Sequence, residues 1–170
     1  MAIQGLKIRR AEVSDYAQVY EMFTSAKVYE GTLQVPYPSR ELWQRRLSEN
    51  IDSVYYLVGV IDDRIVGMVS VATFPHRPRR RHAGAIGISV HEEWQGKGVG
   101  KELMRAIIDF ADNWLNLTRL ELEVYADNEA AIHLYERFGF EHEGTMRQHA
   151  FRDGQYVDSK MMGRLRPASG

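Results

Sequence analysis

Apolar residues along this chain switch between two spacings, and the switches mark out its elements. Leu6 and Ile8 alternate with Lys7 and Arg9 as a short first strand, closed by Ser14 and Asp15, which read as a helix cap. Val19, Met22 and Phe23 then recur at helical spacing, and Leu42, Trp43 and Leu47 share a face of a second helix predicted over 39–50. Between these helices the chain is rich in aromatic residues, apolar groups and proline, and Pro36 and Pro38 exclude regular helix there. Strand-like runs over 55–61 and 65–74 flank Asp62-Asp63-Arg64, a hairpin signature. After a loop over 75–81, residues 83–90 form another strand.

The strongest helical stripe follows, carried by Val99, Leu103, Ala106, Ile107, Phe110 and Trp114. Leu120, Leu122 and Val124 alternate as a fifth strand. Asn128 caps a helix in which Ala131, Leu134, Tyr135 and Phe138 line up, and Gly139 ends it. Segments 140–148 and 156–165, joined through Arg152-Asp153-Gly154, form a closing hairpin, and 167–170 is a tail. The order βαα-ββ-βαβα-ββ contains no repeat and no linker. It predicts a single domain over 1–166 of the α/β (α+β) class, a mixed sheet of seven strands flanked by four helices.

Composition narrows the function classes. A net charge of −1 among 26% charged residues implies neither a nucleic-acid nor a membrane partner. The chain has no cysteine, which rules out disulfides, thiolate metal sites and a cysteine nucleophile. Residues 1–10 lack a signal-peptide core and no run matches a membrane span, so a cytoplasmic location is expected. The six histidines show no paired ligand spacing, and no metal is expected.

The chemistry starts where the strand 83–90 meets the main helix, at Val90-His91-Glu92-Glu93-Trp94-Gln95-Gly96-Lys97-Gly98-Val99-Gly100-Lys101. Alternate glycines let backbone amides approach a ligand, the helix N-terminus adds free N–H groups and a positive dipole end, and Lys97 and Lys101 add charge. A phosphate-bearing ligand is the reading; a turn with packing glycines is the plain alternative. A Walker A loop fails on spacing, because His91 and Gln95 stand where its first glycine would be and Glu102 replaces its Ser/Thr. A dinucleotide fingerprint fails because Gly96, Gly98 and Gly100 are evenly spaced and lie four strands into the chain.

What remains, Gln95-x-x-Gly98-x-Gly100, resembles the pyrophosphate motif Arg/Gln-x-x-Gly-x-Gly/Ala of the Gcn5-related N-acetyltransferase (GNAT) superfamily. The stretch from Asn128 to Phe140 is similar to a second signature of that family, Asn-x-x-Ala-x-x-x-Tyr-x-x-x-Gly-Phe. Both motifs fall in the family's order, and the resemblance covers essentially the whole chain. The stretches Thr32 to Ser39, Pro78 to His82 and Asp112 to Leu115 further resemble a bacterial subgroup of L-amino-acid N-acetyltransferases.

The resemblance implies a GNAT fold with a mostly antiparallel sheet, acetyl-CoA as co-substrate, and a homodimer. It implies that Ile88, Ser89 and Val90 pair with the pantetheine arm, and that amides from Gln95, Gly96, Lys97, Gly98, Val99, Gly100 and Lys101 hold the pyrophosphate. Val90 N–H then stabilises the oxyanion formed when an amine attacks the thioester. Asn128 contacts the pantetheine region, or serves only as a helix cap. Tyr135 protonates the departing thiolate; its plain reading is a core tyrosine beside Phe138. Leu33, Val35 and Tyr37, with Glu30, fall where the family forms its acceptor pocket, although a packed surface loop is an equal reading.

The general base is open. Residues 83–89 carry no acid, and Glu121, Glu123, Glu30 and His82 are substitutes, with Glu121 placed first. At pH 7 about a tenth of α-amines are neutral, against about one lysine amine in two thousand. An α-amine acceptor therefore manages with a water relay, and the missing strand acid favours the α-amine of an amino acid or of an N-terminus, an L-amino acid being the acceptor that the resemblance implies. A protein N-terminus, a polyamine, an amino-acid-like xenobiotic and a non-catalytic acyl-CoA sensor are the alternatives. Arg77, Arg79, Arg80 and Arg81 read as a solvated loop, or as a site for a carboxylate or the 3′-phosphate of CoA. With no cysteine to carry an acetyl group, direct transfer in a ternary complex is expected.

Overall fold

A computed structural model describes residues 3–49 and 53–168. Its elements are β1 (Lys7–Arg10), α1 (Tyr16–Thr24), α2 (Ala26–Tyr29), α3 (Arg40–Ser48), β2 (Val54–Ile61), β3 (Arg64–Thr73), β4 (Ala83–Val90), α4 (Val99–Asn113), β5 (Arg119–Tyr125), α5 (Glu129–Glu136), β6 (Glu141–Arg152) and β7 (Gln155–Leu165). The strands form one seven-stranded sheet in the order β1-β2-β3-β4-β5-β7-β6. Only β4 and β5 run parallel; every other neighbour is antiparallel.

Both tight hairpins come from left-handed turn residues. Asp62 (φ 47°) and Asp63 (φ 61°) join β2 to β3, and Asp153 (φ 48°) and Gly154 (φ 77°) join β6 to β7. Two residues with positive φ match the natural twist of an antiparallel pair.

The sheet buries apolar side chains on both faces. Under α4 and α5 lie Val66, Val69, Val71, Leu120, Leu122 and Val124, against Leu103, Met104, Ile107 and Phe140. On the other face α1–α3 supply Val19, Met22, Phe23, Val28 and Trp43, closing over Val58, Ile65 and Met68, with the Phe23 and Trp43 rings stacked at 4.6 Å. Burying both faces requires helices on both sides, and that fixes where a groove through the sheet can open.

The structure corrects several sequence expectations. The helices, expected at about four, number five among the described residues; α2 is one turn with a single buried residue, Val28, too short to show periodicity. Trp114 leaves the apolar stripe of α4, because the helix ends at Asn113 and the indole is 77% exposed; Met104, Ile108 and Ala111 are buried instead. The strand expected over 140–148 continues to Arg152 as β6. Helix α3 spans Arg40–Ser48 behind a Ser39 cap, and its expected end at Asn50 lies outside the described residues, as do Ser169 and Gly170 of the tail.

Asp15 stands at the N-cap of α1, as expected, but its side chain makes no cap bond to that helix and instead closes a capping box on Glu12 in the turn before it. Its carboxylate is buried, accepts two hydrogen bonds from Arg9 (2.7 and 2.8 Å) and takes a third from Glu12 N (2.8 Å). Burial pushes its pKa up, but Arg9 and the Glu12 amide outweigh burial and hold it below the ordinary value. A depressed carboxylate pKa contributes stability above the unfolded pKa, about 3.9, and that stability is lost as pH falls further. Thermal melts from pH 6 to pH 2 are therefore expected to fall steeply below about pH 4. Asp15→Asn should start from a lower Tm and lose less of it over that range; an unchanged acid slope would count against this assignment.

Candidate active site

The groove forms because β4 and β5 pair only at their N-terminal ends, from Ala83 with Arg119 to Ala85 with Glu121. Beyond Ala85 the two strands diverge. His82 turns its carbonyl to the β5 side, accepting from Thr118 N (2.9 Å) and Arg119 N (3.1 Å), whereas His91 turns its N–H to the β3 side, donating to Val66 O (3.0 Å). These directions alternate along a strand, so Gly84, Ile86, Ile88 and Val90 direct their backbone groups toward β5. From Ile86 onward that edge has no strand beside it. Such an edge is a template for an extended, hydrogen-bonding ligand.

At the end of β4 the chain enters the glycine loop. Gly96 (φ 71°) and Gly98 (φ 91°) both adopt the left-handed region, and Gly98 is the N-cap of α4. A side chain at Gly98 would be strained there. Val99 and Gly100, the first amides of α4, have no carbonyl one turn back and are left as anion donors at the positive end of a fifteen-residue helix, whereas Lys101 N already donates to Gly98 O (3.1 Å). Gln95 has a holding part: its Nε2 donates to Val90 O (3.1 Å) and Lys27 O (3.4 Å), tying the loop to β4 and α2. Lys97 packs over the Trp94 ring at 5.1 Å and Val99 is fully buried, so neither side chain lines the groove, although Lys101 does. Glu92 and Glu93 sit on the exposed rim, bonded to Ser25 and Arg64.

Strand edge, glycine loop and the start of α5 open into one cleft of about 1210 Å³. Asn128 caps α5, its Oδ1 accepting from Ala131 N (3.2 Å), and it also lines the cleft, so its two readings are compatible. Tyr135 lies one helix face further along, 7% exposed, tilted against Phe140 at 6.1 Å. Its hydroxyl has no hydrogen-bond partner among the described residues, yet it is not sealed off, because the side chain lines the cleft. Burial pushes its pKa up to about 12, so the phenol is protonated at any physiological pH.

The opposite wall is built from β5, β6, β7 and the loop after α2. Glu121, Glu123 and Tyr125 point to this side while Leu120, Leu122 and Val124 point to the core. Glu121 is engaged on both oxygens, by Arg80 Nη2 (2.6 Å) and Arg119 Nε (3.2 Å). Arg119 is shared with Glu143, whose pKa it pulls down. Arg80 thus belongs to this ion-pair network rather than to a solvated loop, and its guanidinium also covers the Phe74 ring at 4.7 Å.

Of the expected acceptor residues, only Leu33 reaches the cleft. Glu30, Val35 and Tyr37 do not line it; Val35 and Tyr37 are 72% and 97% exposed. The base of that loop is pinned, with Tyr125 OH donating to Thr32 O at 2.8 Å. Residues that were not singled out in the sequence fill the place instead: Arg46, Trp43, Tyr56, His149 and Ser159. The Trp43–Arg46 spacing, one turn apart on a helix, was the only local signal for any of them.

An open strand edge leading to a helix N-terminus suits a long ligand with a phosphorylated end and a hydrogen-bonding arm, and the buried phenol stands farther along the same cleft. Those features define an acyl-CoA-dependent acyltransferase. The model of the Acetyltransferase (GNAT) family matches residues 16–140, and this chain belongs to that family. The chain is 42% identical, over 94% of its length and 97% of the relative's, to the L-amino acid N-acetyltransferase AaaT of Escherichia coli (strain K12). It superimposes with a TM-score of 0.83, at 26% identity and 96% coverage of each chain, on the spermidine N-acetyltransferase of Vibrio cholerae in complex with CoA and spermine. A phosphinothricin acetyltransferase from Sinorhizobium meliloti in complex with AcCoA has the same fold, with a TM-score of 0.85 at 22% identity over 95% of this chain and 89% of its own. The protein is an N-acetyltransferase, and acetyl-CoA is its acetyl donor.

Proposed function

We propose that the acceptor is the α-amine of an L-amino acid. The observation that carries this reading is Arg46. Its guanidinium lies over the Trp43 ring at 4.9 Å and donates to Gln34 Oε1 (3.2 Å), and it lines the cleft. Among the described residues no carboxylate lies within ion-pair distance of it. A half-buried guanidinium that is oriented but lacks a counter-charge is suited to a planar carboxylate. Phe23, Trp43 and Leu33 offer apolar surface for a side chain beside it. The Escherichia coli relative, an L-amino acid N-acetyltransferase, supports the same reading.

In this reading the amine attacks the thioester directly. The backbone of Ile88, Ser89 and Val90 holds the pantetheine arm, with Val90 N–H toward the developing oxyanion. The loop amides from Gln95 to Lys101 bind the pyrophosphate, Asn128 steadies the arm, and Tyr135 donates to the leaving thiolate. Glu121, fixed between two arginines, shapes the wall rather than taking a proton.

Thiol release with a panel of amines tests the reading. L-amino acids should be turned over well ahead of spermidine and a peptide N-terminus. Arg46→Gln should raise the KM for an amino acid by about 10- to 100-fold, the worth of a charge-assisted pair, and leave tyramine or phenethylamine nearly unaffected. Equal losses for amines with and without a carboxylate would overturn it.

The same proposal covers the setting: one domain over 1–166 acting as a homodimer in a bacterial cytoplasm, with no nucleic-acid or membrane partner. Supporting it are the near-zero net charge and the exposed Phe151–Tyr156 edge-to-face pair near the tip of the β6–β7 hairpin. Among the described residues no helix is long and apolar enough to cross a membrane. Sedimentation equilibrium at micromolar concentration checks the oligomeric state.

A further inference from the structure

Strand β6 shifts register against β7 at two places, between His142 and Gly144 and between Met146 and Ala150, and the second lies beside the cleft. Met146 pairs with Ser159 and Ala150 with Val157, so four steps along β6 span two along β7. Within this bulge Gln148 is left-handed (φ 51°), held by its N–H donating to Asp158 Oδ1 (2.8 Å). Bulges of this kind re-aim a side chain, and a left-handed non-glycine residue persists only where its surroundings enforce it. The residue that follows is His149.

His149 stands in the cleft between two partners. Its Nδ1 is 3.1 Å from Ser159 Oγ, and Ser159 is 2% exposed. Its Nε2 is 3.7 Å from Glu123 Oε2, beyond hydrogen-bonding distance, and the Glu123 carboxylate is 42% exposed. All three residues line the cleft that also contains Tyr135 and Val90. With Nδ1–H donated to Ser159 Oγ, the Nε2 lone pair faces outward beside the carboxylate. Two acceptors side by side, too far apart to bond each other, suit one ammonium group that donates to both.

We propose that Glu123 and His149 form the site that receives and deprotonates the acceptor amine, with Ser159 as a positioning residue that holds the imidazole ring in place. This rests on transfer in a ternary complex, as proposed above, and applies to any primary amine. The ammonium donates to Glu123 Oε2 and to His149 Nε2. One N–H proton passes to Nε2, giving an imidazolium flanked by the carboxylate and by Ser159 Oγ. The freed lone pair forms the N–C bond to the thioester carbonyl, and the C–S bond then breaks. The second proton lost from nitrogen balances the one Tyr135 supplies to the thiolate. The proton on His149 leaves to water. The role the sequence placed first on Glu121 therefore falls to a histidine from a different strand.

The decisive experiment compares His149→Ala and His149→Gln with the wild type on L-amino acids and on amines of graded basicity, with imidazole added. Both variants should lower kcat by about 10²-fold, the usual share of a general base, with acetyl-CoA KM unchanged. The loss should grow with the basicity of the amine, and millimolar imidazole should restore a substantial part of His149→Ala activity. Glu123→Gln should act mainly on acceptor KM, and Ser159→Ala should give a smaller kcat loss than His149→Ala. Retained kcat in both histidine variants, or a loss that is independent of amine basicity and not rescued by imidazole, would overturn the proposal. A pre-steady-state burst of CoA without acceptor in the wild type would overturn the ternary-complex reading itself, which keeps the two failures apart.

Discussion

Tyr135→Phe is expected to lower kcat by about 10³-fold, at the middle of the range for a lost general acid. The acetyl-CoA KM should stay within a few-fold of wild type, since the pyrophosphate loop and the β4 edge are untouched. The substitution removes one oxygen from a ring packed beside Phe140 and leaves no buried polar group unsatisfied. Stability should therefore hold, and a kcat loss without a fall in Tm isolates the chemistry. A phenol pushed up to about 12 by burial is a weaker acid than a thiol near 8.5, so it does not transfer its proton ahead of bond cleavage. In the proposed mechanism its contribution is a hydrogen bond that strengthens as charge builds on sulfur, the proton passing over only as the second proton from nitrogen replaces it on the phenol. Single-turnover acetylation of a thioester with a better leaving group should accordingly be less sensitive to Tyr135→Phe than acetylation by acetyl-CoA. Equal sensitivity would point to a packing role for the ring.

Asp112→Ala is expected to cost about 4 kcal/mol of folding stability, because it leaves a buried guanidinium unpaired. Arg164 on β7 donates to both oxygens of Asp112 on α4, at 2.9 and 2.8 Å, and the two side chains are 10% and 14% exposed. Arg166 adds a bond from Nη1 to the Asp112 carbonyl at 2.7 Å. The pair fastens the last strand to the helix that follows the glycine loop. For a chain of this size the loss corresponds to a Tm lower by roughly 10 °C. Denaturant titration should show it as a lower midpoint at unchanged m. The double variant Asp112→Leu with Arg164→Met should recover most of the loss, since replacing both charges removes the desolvation burden. A single-variant cost below about 1 kcal/mol would place the pair among surface ion pairs.

The parts of this site that were legible in the sequence are those whose physics is local. The glycine loop is read within seven residues, because left-handed backbone at Gly96 and Gly98 and free amides at a helix start need no distant partner. The Asn128–Tyr135 face is read from helical spacing alone. The opposite wall is different. Glu121 looks like a free acid until Arg80, forty-one residues away, is brought against it. His149 looks like any strand residue until the bulge turns it to Ser159 and Glu123. Val35 and Tyr37 look like pocket residues because they are apolar, whereas the loop is held at Thr32 and Gln34 and its tip stands in solvent. Trp114 fits the helical period but falls one residue past the end of the helix. Local periodicity reports what a residue can do within its own element, and pairing across the sheet decides which of those options is used.

The hydrogen bond from Tyr125 to the Thr32 carbonyl separates two evolutionary tasks. It anchors the loop through backbone on the loop's side, so it places no demand on which side chains follow. Apart from Gln34, which is bonded to Arg46, positions 33 to 37 are free to drift, and new acceptors can be explored there one substitution at a time. The reaction centre, fastened on the other side of that anchor, does not move while this happens. Selection for a new amine in this scaffold should therefore find its first productive changes at Leu33, the loop residue that reaches the cleft, and find them without compensating changes in the sheet.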